Sequence, residues 1–274
     1  VFQMSEEIFF LHYGKDGCNR HVLIDECREL FGEIYEQIPE LPFCNIWTAM
    51  QLSSRLPKGA LFHMGVSNTR RCWNMFQLPE SVESACNVGC CGIDGCVSTL
   101  VGASLVNPDR LCYVVVGDLT FFYDLNSLGN HHIGTNLRVM LVNNGRGTEF
   151  RLGIHHCNVF GDDADKYMAA AGHFGNKSPL LVKHYAEDLG FHYLSATTKE
   201  EFMTALSNFT NPQLSDHSMI LEVFTDSKDE SEALYLMSHI QSDAKGMVRS
   251  KLKDAVRNVA GEKGINAIKK ILKK

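Results

Sequence analysis

The feature that most constrains the fold is residues 111–150, where two short apolar runs flank a segment of helical length. The runs at 113–116 and 137–142 each have the length of a buried strand. Parallel neighbouring strands need a crossover of about a dozen residues or more, usually a helix. The stretch therefore predicts a βαβ unit with two parallel strands.

Both predicted strands end in polar residues. In an open parallel sheet, ligands bind outside the carboxyl ends of the strands, so we expect Asp118 and Asn144 to lie near one another. A carboxylate and a carboxamide oxygen suit Mg²⁺ held partly by substrate phosphates. Gly117, Gly145 and Gly147 would let backbone amides approach a diphosphate.

The spacing of these residues resembles the diphosphate-binding motif of thiamine diphosphate (ThDP) enzymes, Gly-Asp-Gly followed by Asn-Asn. Here residues 117–119 read Gly-Asp-Leu and residues 143–144 read Asn-Asn. Leu119 replaces the third Gly, as in the SEPHCHC synthase of menaquinone synthesis, which also has a sequence similar to Tyr-Asp-Leu-Asn at 123–126. The chain thus resembles the diphosphate-binding (PP) domain of the pyruvate decarboxylase and acetolactate synthase group, closest in motifs to that synthase.

The resemblance implies that the chain binds ThDP and Mg²⁺. The metal ligands would be Asp118, the Asn144 side chain and the backbone carbonyl of Arg146. The residues implied to contact the cofactor are Gly92, Ile93, Gly117, Leu119, Thr120, Asn144 and Gly147. The alternative is an ordinary doubly wound sheet with a Gly-Asp turn and an Asn-Gly loop.

A third motif, Gly-Cys-Cys-Gly-Ile-Asp-Gly at 89–95, resembles the Gly-Ile-Asp-Gly loop of the same synthase. By resemblance, Ile93 props ThDP into its bent shape and backbone groups around Gly92 meet the pyrimidine. The alternative is a helix-capping turn with Asp94 near the amino end of the next helix. The synthase carries an Arg where this chain has Val88, so that contact with acidic substrates is absent.

Two further segments near the predicted site carry polar side chains. Arg71 matches an Arg that holds a substrate carboxylate in the synthase, and a solvated surface Arg is the alternative. The predicted loop at 148–165 contains His155 and His156, which either shuttle protons or are solvated bystanders.

The resemblance covers residues 45–225 and implies part of a 2-oxo acid decarboxylase or carboligase. A Glu on a separate pyrimidine-binding domain completes such sites, and this chain has no room for that domain. We therefore expect that domain as a partner, and a small 2-oxo acid as the substrate. We also expect a homodimer or other homo-oligomer, and no activity from the isolated chain. A non-catalytic or regulatory module is the main alternative; a Mg²⁺-dependent phosphatase or nucleotide binder would need a nucleophilic Asp or a phosphate loop, and the sequence offers neither.

The rest of the chain extends the predicted sheet. We expect a strand at 61–64, strands at 191–194 and 219–224, and helices at 22–38, 45–55, 98–103, 165–172, 178–190 and from a Thr198/Glu201 capping box to 209. These elements predict an α/β fold, a doubly wound, mainly parallel sheet of five to six strands with helices on both faces. Residues 1–44 would be a linker and extra helix, and 226–274 a basic C-terminal helical extension.

Composition narrows the functional classes. With 45% apolar and 21% charged residues and no long apolar run, we expect a cytoplasmic globular protein without a membrane helix. A chain that starts at Val1 without a leader suggests no signal peptide, and ten cysteines without a CxxC pair suggest reduced thiols.

From Lys245 onward the local net charge is +8, which leaves −14 on the preceding chain. The tail lacks interleaved aromatic residues, so we do not expect nucleic-acid binding.

Overall fold

The structure is a computed structural model that describes residues 20–89, 91–152, 155–163 and 178–240. Within these ranges, the cysteines are free thiols. No helix in the same ranges is long and apolar enough to cross a membrane. The predicted helix at 165–172 and the basic tail from 245 lie outside the described residues.

The centre of the structure is a six-stranded sheet in the order β2-β1-β3-β4-β6-β5. Every pairing between these strands is parallel. The strands are β1 Leu61–Met64, β2 Glu83–Cys86, β3 Cys112–Gly117, β4 Leu137–Asn143, β5 His192–Ala196 and β6 Met219–Phe224. The predicted doubly wound α/β fold is confirmed, and the parallel βαβ unit predicted around β3 and β4 is present.

Helices cover both faces of the sheet. The helices of both core layers are α2 Asn45–Ser53, α3 Asn68–Trp73, α4 Cys96–Val106, α5 Asp118–Tyr123, α6 Leu181–Asp188, α7 Lys199–Phe209 and α8 Ser227–Ser238. A further helix, α1 Arg20–Glu36, precedes them and is mostly exposed where its side chains are described. Short 3-10 helices occupy Leu125–Gly129, Thr148–Arg151 and His156–Asp163, so the loop predicted at 148–165 has helical turns. The domain limits predicted at 44 and 225 stay predictions.

Two apolar layers form the core because successive strand residues point to opposite faces. Tyr113 and Val115 face the layer that packs against α2, α3, α7 and α8. Val114 and Val116 face the layer that packs against α4, α5 and α6. Strands that are buried on both faces read as continuous apolar runs, which is why β3 and β4 could be predicted within one or two residues.

The chain reverses its direction of travel across the sheet between β1 and β3. After β1 the chain moves outward to β2, and after β3 it moves the other way to β4. The loops that follow β1 and β3 therefore diverge and leave a crevice at the carboxyl edge. Ligands bind at such switch points in open α/β sheets.

The capping box predicted at Thr198 and Glu201 is present in a shifted form. Thr198 Oγ1 accepts a hydrogen bond from the Glu201 backbone N–H at 3.2 Å. The Glu201 carboxylate accepts from the backbone N–H of Thr197 at 2.7 Å, one residue before the N-cap. The first bond pairs an N–H that the first turn of α7 cannot pair within the helix, and the second pairs an N–H of the residue just before the N-cap.

Replacing Thr198 with Ala is expected to lower the free energy of unfolding by about 1 kcal/mol, because the Glu201 N–H loses its acceptor. Urea unfolding of the full chain measures the change. Thr204→Ala is the matched control: Thr204 is exposed on the same helix, and Ala is the better helix former. Equal stability of Thr198→Ala and the parent chain would show that the cap contributes nothing.

Candidate cofactor site

A cleft of about 650 Å³, open solvent included, lies at the carboxyl edge of the sheet. Its walls come from the loops after β1, β3 and β4, together with the start of α2 and one residue of the loop before α4. The lining residues are Asn45, Val66, Ser67, Asn68, Thr69, Ile93, Gly117, Asp118, Leu119, Thr120, Val142, Asn144, Arg146, Gly147, Thr148, Glu149 and Phe150.

Asp118 is the most buried acidic residue of the cleft wall. It follows directly on β3 as the first residue of α5, and only 3% of its surface is exposed. Its Oδ1 accepts a hydrogen bond from the Leu119 backbone N–H at 2.8 Å. Carboxylate oxygens such as these are common ligands of Mg²⁺.

The loop after β4 is built from two consecutive side-chain turns. Asn143 Oδ1 accepts from the Gly145 N–H at 3.2 Å, and Asn144 Oδ1 accepts from the Arg146 N–H at 3.2 Å. Gly145 has φ +76°, a conformation that Gly adopts without steric cost. The Asn144 oxygen has a second lone pair for a cation. These turns explain why the sequence reads Asn-Asn-Gly at this point.

The loop after β1 is strained next to the cleft. A Cβ on Gly65 would lie 3.1 Å from the Val115 carbonyl oxygen, a tight contact that would push the end of β1 away from β3. Ser67 has φ +60° and ψ −123°, which is rare for a residue with a side chain. Such a conformation costs on the order of 1–3 kcal/mol, and strain of this kind clusters at functional sites.

The Gly-Ile-Asp-Gly loop is joined to the Asp118 helix by a hydrogen-bonded cap. Asp124, at the end of α5, accepts from the Ser98 backbone N–H at 2.7 Å and from its hydroxyl at 3.0 Å. Asp124 therefore caps α4 across 26 residues of sequence. The N-cap residue Gly95 supplies no side-chain cap. The Asp94 side chain instead lies against Gly92. A Cβ added to Gly92 would be 2.5 Å from the Asp94 Oδ1, too close for the two to coexist without a shift.

Arg71 is engaged by a cleft residue. Its guanidinium forms a salt bridge with the Glu149 carboxylate, which lines the cleft. Arg71 itself is not among the lining residues. The ion pair ties α3 to the loop after β4 and neutralises one carboxylate on the cleft wall.

A buried carboxyl group supports the cleft from behind. Glu230 of α8 has no exposed surface, and its Oε1 accepts from the Asn45 backbone N–H at 3.0 Å and the Thr225 hydroxyl at 2.7 Å. Asn45 lines the cleft and accepts from the Trp73 indole N–H at 2.9 Å. Burial raises the pKa of Glu230 to about 7, although the hydrogen bonds from Thr225 and Asn45 lower it. The negative charge of Asp118 adds to the rise.

The structure brings most of the predicted site residues to this cleft. Those that line it are Ile93, Gly117, Asp118, Leu119, Thr120, Asn144, Arg146 and Gly147. Gly92 and Arg71 are adjacent to lining residues without forming the wall. Outside the wall, His155 packs edge-on against Phe150, with ring centroids 5.2 Å apart. The binding roles of all these residues stay predictions.

Sequence reasoning missed several residues that shape the cleft. Asn45, Ser67 and Glu149 line it, and Asp124 and Glu230 hold its walls in place. The Ser67 loop follows a predicted strand, so its position at the carboxyl edge could be inferred, whereas its backbone conformation could not. The sequence signal for Glu230 is its spacing of three and four residues from Ala233 and Leu234, which places it on the apolar face of α8.

Comparison with known proteins gives a consistent set of relatives. The chain is 33% identical over 233 residues to a 2-succinyl-5-enolpyruvyl-6-hydroxy-3-cyclohexene-1-carboxylate (SEPHCHC) synthase of Bacteroides fragilis, which covers 85% of the chain and 39% of that protein. Synthases of the same name from Phocaeicola vulgatus (34% identical) and Bacteroides thetaiotaomicron (32% identical) each cover 72% of the chain and 34% of their own length. The chain thus spans about a third to two fifths of these relatives. No protein-family model matches it.

Proposed function

The chain belongs by homology to the family of the SEPHCHC synthases, and we propose that it is the PP domain of a ThDP- and Mg²⁺-dependent 2-oxo acid decarboxylase or carboligase. One observation carries the proposal. Ile93, Asp118 and Asn144 come from three motifs that are separate in the sequence, and all three line one cleft at the switch point of the sheet. Hard oxygen donors beside Gly-rich backbone suit a Mg²⁺-bound diphosphate.

Each residue type has a distinct task under this proposal. Asp118, the Asn144 side chain and the Arg146 carbonyl would hold Mg²⁺. Backbone at Gly117, Leu119, Thr120 and Gly147 would face the diphosphate, Ile93 would support the bent cofactor, and backbone around Gly92 would meet the pyrimidine. The buried position of Asp118 excludes most bulk water from its carboxylate, which strengthens its attraction to a cation.

The chemistry would be shared between this chain and a partner. Bound ThDP would supply the electron sink for decarboxylation of a 2-oxo acid, and the protein supplies binding, orientation and electrostatics. The described residues of this chain bind and orient; the acid that protonates the pyrimidine would come from a pyrimidine-binding domain. We further propose a cytoplasmic homo-oligomer acting on a small 2-oxo acid, with an isolated chain that is inactive.

A chimera tests the proposal. The chain replaces its homologous segment in the Bacteroides fragilis synthase, and ThDP is titrated calorimetrically with and without Mg²⁺. We expect Mg²⁺-dependent binding by the chimera that is at least about tenfold tighter than binding by the isolated chain, because the chimera restores the second half of the site.

Two comparisons sharpen that experiment. ADP carries a diphosphate without the thiazolium ring, so a chimera that prefers ADP over ThDP would contradict the cofactor assignment. Release of CO₂ from a 2-oxo acid by the isolated chain with ThDP and Mg²⁺ would contradict the incomplete site. Pyruvate and 2-oxoglutarate serve as the substrates in that assay.

A second candidate is a non-catalytic or regulatory module that keeps the ThDP fold. It is favoured by the reduced number of cations that could bind an acidic substrate: Val88 stands where the synthase has an Arg, and Arg71 is paired with Glu149. Such a module would bind ThDP in the chimera without supporting turnover. Turnover of any 2-oxo acid by the chimera above that of a cofactor-free sample would exclude it.

A further inference from the structure

Strand β6 contains a buried carboxylate, Glu222, to which the proposed site assigns no role. This strand lies next to β4, which leads into the loop at 144–147. Glu222 lies within β6, whose sequence MILEVF is otherwise apolar, and it is 1% exposed. Burying a carboxylate costs several kcal/mol unless both oxygens are hydrogen-bonded. The contacts that satisfy Glu222 therefore indicate why it is there.

Glu222 joins three adjacent strands on one face of the sheet. Its Oε1 accepts from Asn143 Nδ2 at 2.7 Å, and its Oε2 accepts from the Tyr193 hydroxyl at 2.7 Å. Asn143 ends β4 and Tyr193 belongs to β5, and β6 lies between these strands. The register pairs Glu222 with Leu141, so Asn143, two residues further along β4, faces the same side.

The carboxylate fixes the orientation of the Asn143 amide. A carboxylate only accepts hydrogen bonds, so the NH₂ of Asn143 must face Glu222 and its oxygen must face away. That oxygen accepts from the Gly145 N–H at 3.2 Å. If the amide turned over, its NH₂ would meet the Gly145 N–H, two donors would face each other, and the turn at 143–145 would lose its bond.

From this geometry we infer that Glu222 is a positioning residue, which holds the 144–147 loop in place through Asn143. The inference deepens the proposed function and rests on it, since the loop carries Asn144 and Arg146. It assigns different tasks to the two asparagines. Asn143, oriented by Glu222, holds the turn that begins the loop, and Asn144 faces the cleft. Substituting a residue that orients a metal ligand typically lowers metal affinity or activity about 10–100-fold.

Hydrogen exchange of the full chain without cofactor tests directly whether Glu222 positions the loop through Asn143. In Glu222→Leu, amides in 143–147 are expected to exchange at least about tenfold faster than in the parent chain, because the Asn143 amide loses its anchor. Asn143→Ala should have the same effect and serves as the test if Glu222→Leu does not fold. Tyr193→Phe is the matched control, since it removes a hydrogen bond from the same carboxylate on the side away from the loop; we expect a change within about twofold.

Cofactor affinity gives the second measurement, in the chimera with this chain. Glu222→Leu is expected to weaken Mg²⁺-dependent ThDP binding about 10–100-fold. Glu222→Gln should restore affinity, because its carbonyl can accept from Asn143 while its NH₂ donates to the Tyr193 oxygen.

The two measurements separate this inference from the proposed function. If exchange in 143–147 is unchanged by Glu222→Leu and Asn143→Ala, Glu222 does not position the loop, whether or not ThDP binds. If both variants accelerate exchange and the chimera fails to bind ThDP, the positioning role stands and the cofactor assignment fails. If Glu222→Leu and Tyr193→Phe accelerate exchange equally, the effect is general destabilisation and the inference is wrong.

Discussion

Replacing Asp118 with Ala in the chimera is expected to weaken Mg²⁺-dependent ThDP binding by more than about 100-fold. Substitutions behind metal ligands cost about 10–100-fold, and removal of a ligand should cost more. Asp118 is the acidic residue with the least exposed surface on the cleft wall, and it lies at the carboxyl end of the central strand β3. Calorimetric titration of ThDP at saturating Mg²⁺ measures the loss.

Two companion variants separate charge from geometry. Asp118→Asn can still accept from the Leu119 N–H but loses the negative charge, so its affinity should fall between those of the parent and Asp118→Ala. Glu149→Gln removes a charge from the same cleft wall without touching a proposed ligand, and we expect its affinity to change less than about fivefold. A folded Asp118→Ala chimera with parental affinity would remove Asp118 from the metal site.

The predictability of each strand follows from how deeply it is buried. Every residue of β4 is buried, and so are the first five of β3, so both strands stand out as uninterrupted apolar runs. Strand β2 was missed because it is an exposed strand, Glu-Ser-Ala-Cys, which pairs with β1 at the edge of the sheet that the described residues form. The information that makes β2 a strand lies in the edge of β1 and not in its own residue types.

Site residues could be predicted when their hydrogen-bond partners are close in the sequence, and not when the partners are distant. Asp118 and Asn144 could be predicted because Gly, Asp and Asn at strand ends form local turns, which short motifs record. Asp124 and Glu222 could not, because their partners lie in other elements, 26 and 79 residues away. Sequence patterns thus locate the groups that would face a ligand, while the groups that orient them depend on strand order and register.

Glu230 is expected to make the protein less stable as the pH rises from about 4.5 to 7. Burial raises its pKa in the folded chain from 4.5 to about 7. In this window the unfolded chain releases the proton and the folded chain retains it, so the folded state binds more protons and the free energy of unfolding falls with pH. A rise of this size corresponds to a loss on the order of 3 kcal/mol, complete above pH 7.

Glu230→Gln isolates this effect. The Gln carbonyl can accept from the Asn45 N–H and the Thr225 hydroxyl as Glu230 does, and it never ionises. We therefore expect the variant and the parent to be similar at pH 5 and the variant to be more stable at pH 8, by up to about 3 kcal/mol in urea unfolding. Glu232→Gln, exposed on the same helix, should show no such pH-dependent difference. A difference between Glu230→Gln and the parent that stays constant from pH 5 to 8 would mean that Glu230 is ionised throughout, and that a partner outside the contacts seen here stabilises its charge.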